Sequence, residues 1–167
     1  YNMPILITHT MNVFCERQHP EKFIPMTIRN VNEGKHVNIH SNAEKTKAGS
    51  RHYIHAEDVS NGVLFLLEKK YDDLKTNVDF GGAKCPKFNI VGPVELDNLQ
   101  LAQEIAKAQS KNLNFKFIDF HSARPGHDLR YALDGSLMRD LGWTPKKNVF
   151  ERIKDVVNWT LINNQWL

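Results

Sequence analysis

Between Arg124 and Asp134 the chain reads Arg-Pro-Gly-His-Asp-Leu-Arg-Tyr-Ala-Leu-Asp, which gathers two guanidinium groups, an imidazole and two carboxylates. The Pro125-Gly126 pair marks a tight turn, so this is loop chemistry. A guanidinium presents a planar fork of N–H donors that matches an oxyanion in bidentate fashion. Arg124 and Arg130 beside His127 therefore suit a phosphate or diphosphate. The same residues also allow a structural ion pair, Arg130 with Asp128 or Asp134, and spacing alone does not separate the two.

Other polar residues fall on loops that follow strand-like runs: Asn12, the Glu21-Lys22 pair, Arg51 and Asn89. In open α/β folds ligands bind beyond the carboxyl ends of strands, which is where Asn12 and Asn89 stand. Asn also serves turns for its own backbone reasons, so each position has a bland explanation too. His40, His52 and His55 flank the polar loop 41–50, but their spacing matches no metal-ligand pattern, and solvated or hydrogen-bonded imidazoles are the expectation. Tyr71 and Lys75 share the Tyr-x-x-x-Lys spacing, yet they sit in Lys-Lys-Tyr-Asp-Asp-Leu-Lys beyond the end of an apolar stripe, which reads as a solvated helix end. The chain holds no Gly-x-Gly-x-x-Gly, no phosphate loop ending in Gly-Lys-Ser/Thr and no Gly-x-Ser-x-Gly. Cys15 reads as a small packing residue and not as a nucleophile.

The elements that must position these groups alternate along the chain. Pro4–Thr10 is a short apolar run fitting a buried strand. Phe23, Ile24, Ile28 and Val31 recur at helical spacing until Gly34, and Val37 and Ile39 alternate with polar neighbours as a strand does. Ala56–Lys70 is an amphipathic helix with Val59, Val63, Leu66 and Leu67 on one stripe. Thr76–Pro86 reads as a loop and Phe88–Val91 as a second buried strand. Asp97 caps a helix running to Ser110, followed by a strand through Leu113, Phe115 and Phe117. Asp134 can cap a short helix stopped by Gly142, and Asn148 with Glu151 has capping-box spacing before a final helix.

At 167 residues, 41% hydrophobic and 25% charged, the sequence predicts one α/β domain over residues 1–167. No apolar run approaches the roughly 20 residues of a membrane span. The net charge of +3 is interspersed, so neither nucleic acid nor membrane is expected as a partner. Two isolated cysteines, Cys15 and Cys85, suggest no zinc site or disulfide framework, and a cytoplasmic location is the expectation. Asn158-Trp159-Thr160 matches a glycosylation acceptor but lies inside an apolar-periodic segment. The chain opens at Tyr1 directly into an apolar run and reads as a piece of a longer protein.

Taken together, Asn-Val-Phe-x-Glu-Arg-Gln-x-Pro-Glu-Lys-Phe-Ile-Pro (12–25), Arg-His-Tyr-Ile-His-Ala-x-Asp-Val (51–59), Phe-Asn-Ile-Val-Gly (88–92) and Arg-Pro-Gly-His-Asp-x-Arg-Tyr-Ala-x-Asp (124–134) resemble the C-terminal half of nucleotide-sugar 4,6-dehydratases of the extended short-chain dehydrogenase/reductase superfamily. The resemblance implies part of a Rossmann-like sheet plus a small substrate-binding α/β domain that clamps the diphosphate of an activated sugar. Arg51 and Arg124 match the family's diphosphate-binding arginines, with Asn89 and His127 assisting. Asn12 and Lys22 match positions lining the sugar-nucleotide, with Phe23 as an apolar wall. His40 stands where an aromatic near the base is usual, and with a longer loop 41–50 it leaves thymine or uracil open. Cys15 replaces the usual Gly. The family's NAD fingerprint and catalytic residues are absent from this sequence, so NAD is expected in the parent enzyme and not on this chain alone, and no catalytic residue is assigned to it. The resemblance also implies homo-oligomers. An epimerase or decarboxylase half, or a stand-alone binding module, are the alternatives.

Overall fold

The computed structural model describes residues 3–76, 85–119 and 128–167. Two parallel strand pairs organise it. In the first, β1 (Ile7–Thr10) runs beside β6 (Lys87–Ile90), with Ile7 opposite Lys87 and Thr10 opposite Ile90. Helix α2 (Ala56–Leu67) packs on this pair so closely that a Cβ on Gly62 would meet Ile90 and Trp143 at 3.1 Å. Leu66, Phe88, Ile90, Trp143, Leu74 of α3 (Tyr71–Thr76) and Met138 of α5 (Ser136–Asp140) close this core.

In the second pair, β3 (Val37–Ser41) runs parallel to β8 (Phe115–Asp119). Val37 and Ile39 face Val31 of α1 (Phe23–Asn32) and Ala102 and Ala106 of α4 (Asn98–Ala108). Pro25 lies in the first turn of α1, where its missing N–H costs no intrahelical bond. The final helix α6 (Val149–Ile162) adds Ile153, Val156 and Val157 against Ile28, Leu101 and Ile105. Each such fully buried aliphatic side chain contributes roughly 1.5–3 kcal/mol of transfer free energy.

Two smaller sheets join these layers. β2 (Val13–Phe14) pairs in parallel with β5 (Ile54–His55). β4 (Ser50–His52) lies between antiparallel β7 (Glu95–Asp97) and parallel β9 (Arg130–Tyr131).

Several expectations shift in detail. α2 ends at Leu67 and not at Lys70, and Leu67 is 69% exposed. It stands about 100° around the helix from Leu66, so only Val59, Val63 and Leu66 share the inward stripe. Asp97 makes a full capping box with Gln100, whereas Asn148 accepts from the Phe150 N–H and not from Glu151. Gly142 takes φ +93°, the left-handed stop expected after α5. Ile90 is fully buried, whereas β1, expected as a buried strand, is largely exposed, and apolar surface is uncovered at Met3 and Ile5 and on α2 at Leu64 and Leu67. Most of the loop expected at Thr76–Pro86 lies outside the described residues. Among the described residues no helix is long and apolar enough to cross a membrane.

Candidate functional site

The turn from β1 into β2 passes through Asn12, which takes a left-handed backbone at φ 43°, a conformation that Asn tolerates better than most residues. Its carbonyl accepts from the Ile54 N–H at 3.4 Å, and its side-chain Nδ2 is buried without a partner. α1 starts close by. Lys22 is its N-cap residue, but its side chain makes no capping bond. Asn12, Gln18, Lys22, Phe23 and Tyr53 line one cavity of about 270 Å³, with Phe14 also on its wall. Three predicted site residues, Asn12, Lys22 and Phe23, thus share a single space.

Tyr53 forms the wall on the opposite chain segment. It is only 7% exposed, and its hydroxyl donates to Asn98 Oδ1 at 2.9 Å. Burial pushes its phenol well above the usual tyrosine range, opposed by the charge of nearby Arg51. The wall therefore presents a neutral hydroxyl.

Arg51, on β4, spends its fork on backbone. Nη1 donates to Ser50 O at 2.6 Å and Leu129 O at 2.9 Å, and Nη2 donates to Asp128 O at 2.8 Å. The guanidinium therefore grips the chain immediately after His127. Arg124 and His127 themselves lie outside the described residues. His40 sits on β3, where its carbonyl accepts from the Gly49 N–H at 3.1 Å, one strand connection away from Arg51. Asn89 stands apart on β6: Nδ2 donates to Asp134 O at 2.8 Å, and Oδ1 lies 3.3 Å from His9 Nδ1.

The ion pair weighed for Arg130 forms with neither Asp128 nor Asp134. Arg130 is bidentate to Glu95, Nε to Oε1 at 2.8 Å and Nη2 to Oε2 at 2.9 Å, while Ser50 Oγ donates to Glu95 Oε1 at 2.6 Å. These bonds, that from Arg130 foremost, hold the Glu95 carboxyl down at about 2. Asp134 instead accepts from the Ser136 N–H at 2.9 Å and the Ser136 hydroxyl at 2.8 Å, the backbone bond being the larger cause of its lowered pKa.

The histidines go separate ways. His52 Nδ1 donates to Gly92 O at 2.9 Å. His55 Nδ1 accepts from the Glu57 N–H at 3.2 Å, which leaves Nε2–H for Glu16 Oε2 at 3.3 Å. Among the described residues no three His, Cys, Asp or Glu side chains are grouped to hold a metal ion. Burial, with Glu16 adding to it, raises the Cys15 thiol, the reverse of an activated nucleophile.

Sequence reasoning missed Tyr53, Gln18 and Glu95. Tyr53 had a signal, because it alternates with Arg51 along one extended segment. Glu95 had none, since its partners come from two other strands.

Residues 1–80 match the model of the NAD dependent epimerase/dehydratase family. The dTDP-glucose 4,6-dehydratase of Mycolicibacterium smegmatis is 32% identical over 168 residues, spanning 99% of this chain and 45% of the relative. That of Haemophilus influenzae is 30% identical over 167 residues, spanning 98% and 47%. Over nearly its whole length the chain is similar to dTDP-glucose 4,6-dehydratases. It has the Rossmann-like fold of the extended short-chain dehydrogenases/reductases. The chain spans about half the length of the curated relatives it matches. Among solved structures, the dTDP-glucose 4,6-dehydratase of Streptomyces venezuelae, determined with NAD bound, matches with a TM-score of 0.77 at 26% identity, over 99% of this chain and 46% of that one. A UDP-glucuronic acid 4-epimerase from Bacillus cereus shares the fold at a TM-score of 0.75 and 20% identity, over 96% of this chain and 46% of its own.

Proposed function

We propose that these 167 residues are the substrate-binding unit of an NAD-dependent nucleotide-sugar 4,6-dehydratase acting on a dTDP- or UDP-linked glucose. The observation that carries the reading is the placement of Arg51: its guanidinium lies across the carbonyls of Asp128 and Leu129, which follow His127 in the sequence, and Arg51 is two residues from the cavity wall Tyr53. Cationic donors from two distant segments would in this reading converge on a diphosphate, which carries about two negative charges. In this reading Arg51 and Arg124 hold the diphosphate, with Asn89 and His127 in support and His40 toward the base. Lys22 and Asn12 orient the attached ring while Phe23 and Phe14 keep water from it.

In this reading NAD belongs to the parent enzyme and not to this chain alone. One first-turn N–H of each of α2, α4 and α6 is taken by a cap, that of Glu57 by His55, of Gln100 by Asp97 and of Phe150 by Asn148, and no glycine-rich turn opens these three helices. The reading therefore gives this chain substrate binding without independent catalysis, within a cytoplasmic homo-oligomeric parent.

Calorimetric titration of the chain with dTDP, UDP and GDP tests it. Binding of dTDP or UDP is expected, falling at least tenfold in Arg124→Ala. Undiminished affinity in that variant overturns the assignment.

A further inference from the structure

Arg51 is held as firmly as it holds. Nη1 donates both its hydrogens, to Ser50 O at 2.6 Å and Leu129 O at 2.9 Å, and Nη2 donates one of its two to Asp128 O at 2.8 Å. A guanidinium has five N–H donors. Nε–H and one N–H of Nη2 are left, and none of the described residues takes them. The carbonyls that set this orientation lead into β9, which pairs with β4 at only two positions, Ser50 with Arg130 and Arg51 with Tyr131. So short a ladder fixes a strand poorly by itself. Reinforcement comes from the far strand of the sheet, whose order is β7-β4-β9. Glu95 on β7 reaches past β4: Oε1 accepts from Arg130 Nε at 2.8 Å and Ser50 Oγ at 2.6 Å, and Oε2 accepts from Arg130 Nη2 at 2.9 Å. One carboxylate ties three strands together.

We infer that Glu95 is a positioning residue for oxyanion binding by Arg51: by fastening Arg130 across β4 it holds the Asp128 and Leu129 carbonyls where they keep the Arg51 guanidinium in one orientation, with two donors left for a phosphate group. Successive residues of a strand face opposite sides of its sheet. The register sets Ser50 opposite Arg130 and His52 opposite Glu95, so Ser50, Arg130 and Glu95 share a face that Arg51 does not. The latch acts on Arg51 through the main chain and not by touching what Arg51 binds. Its effect is pre-organisation, because a side chain already ordered in the free protein loses less conformational freedom when a ligand arrives. The inference rests on reading Arg51 as a diphosphate ligand, and it adds the residue that orients it.

The test titrates the 167-residue chain and its variants with dTDP, well below the melting temperature of each. Glu95→Gln should weaken binding roughly fivefold, the cost of ordering one side chain anew. Arg51→Met, which keeps the stem and removes the fork, should weaken it by about tenfold or more, and the two changes combined should bind no worse than Arg51→Met alone. Arg130→Gln, at a side chain 63% exposed and so of little risk to the fold, should repeat the Glu95→Gln loss. A plain charge effect on a bound anion predicts opposite signs for these two variants, and the latch predicts a loss in both. Unchanged or raised affinity in Glu95→Gln, or losses that multiply in the double variant, overturns the positioning role and leaves the diphosphate reading in place. Unchanged affinity in Arg51→Met, or no binding of dTDP by the unaltered chain, overturns both.

Discussion

The Glu95 carboxylate, held at about 2 by Arg130 and Ser50, couples stability to acid in one direction. Its unfolded value is the ordinary one of about 4.3, so the unfolded chain takes up the proton first and the folded state loses this contribution as pH falls from about 4 toward 2. Above that window the contribution is complete. Thermal melts of the unaltered chain and Glu95→Gln across pH 2–7 should therefore diverge at neutral pH and converge near pH 2. Parallel curves would show that the Arg130–Glu95–Ser50 cluster adds nothing. Sequence could not name this partner. Arg130 has two carboxylates within four residues, yet the register that sets Ser50 opposite Arg130 and His52 opposite Glu95 brings in a third from 35 residues away. By contrast, residues 12–25 carry Asn12, Lys22 and Phe23 on one turn and one helix start, so local sequence was enough to bring those three together.

At the scale of elements, α2 and α6 are joined through a buried charge. Arg152 Nη1 donates to Glu57 Oε2 at 2.6 Å and Nη2 to Asp58 Oδ1 at 3.3 Å, and Asp58, 2% exposed, also accepts from the Lys146 N–H at 3.2 Å. Glu57 reaches solvent and can spare its partner; Asp58 cannot. Arg152→Ala should destabilise by about 3 kcal/mol in urea unfolding, because it strands a buried carboxylate, whereas Arg152→Met combined with Asp58→Leu should cost less than that single change. A cost for Arg152→Ala below about 1 kcal/mol would mean that water already reaches Asp58. The helices themselves were legible, since apolar residues at 3.6-residue spacing and the Asp97 and Asn148 caps lie within each segment. The strand partners were not: β3 pairs with β8 across more than seventy residues, and nothing in either strand specifies the other.

For the whole molecule, the three apolar clusters leave Leu64 at 56% and Leu67 at 69% exposure on the outer face of α2, with Met3 and Ile5 uncovered beside β1. A parallel pair such as β1 and β6 is ordinarily covered on both faces and flanked by further strands. Self-association is the expected result, seen as concentration-dependent sedimentation that Leu64→Lys with Leu67→Lys weakens. Monodisperse monomer at several hundred micromolar would contradict it. The exposed face follows from the one-residue difference between Leu66 and Leu67, which a hydrophobicity pattern blurs and a helix resolves.

Gly92 follows β6, and a Cβ built there would fall 2.0 Å from the carbonyl oxygen of Tyr53, an atom of the main chain that has no rotamer to escape into. Any side chain at position 92 must therefore push the Tyr53 segment outward and deform the cavity wall. In a saturation library selected for nucleotide-sugar binding, position 92 should return glycine alone. Recovery of alanine at parental frequency would mean that this backbone crossing has more slack than its geometry gives it.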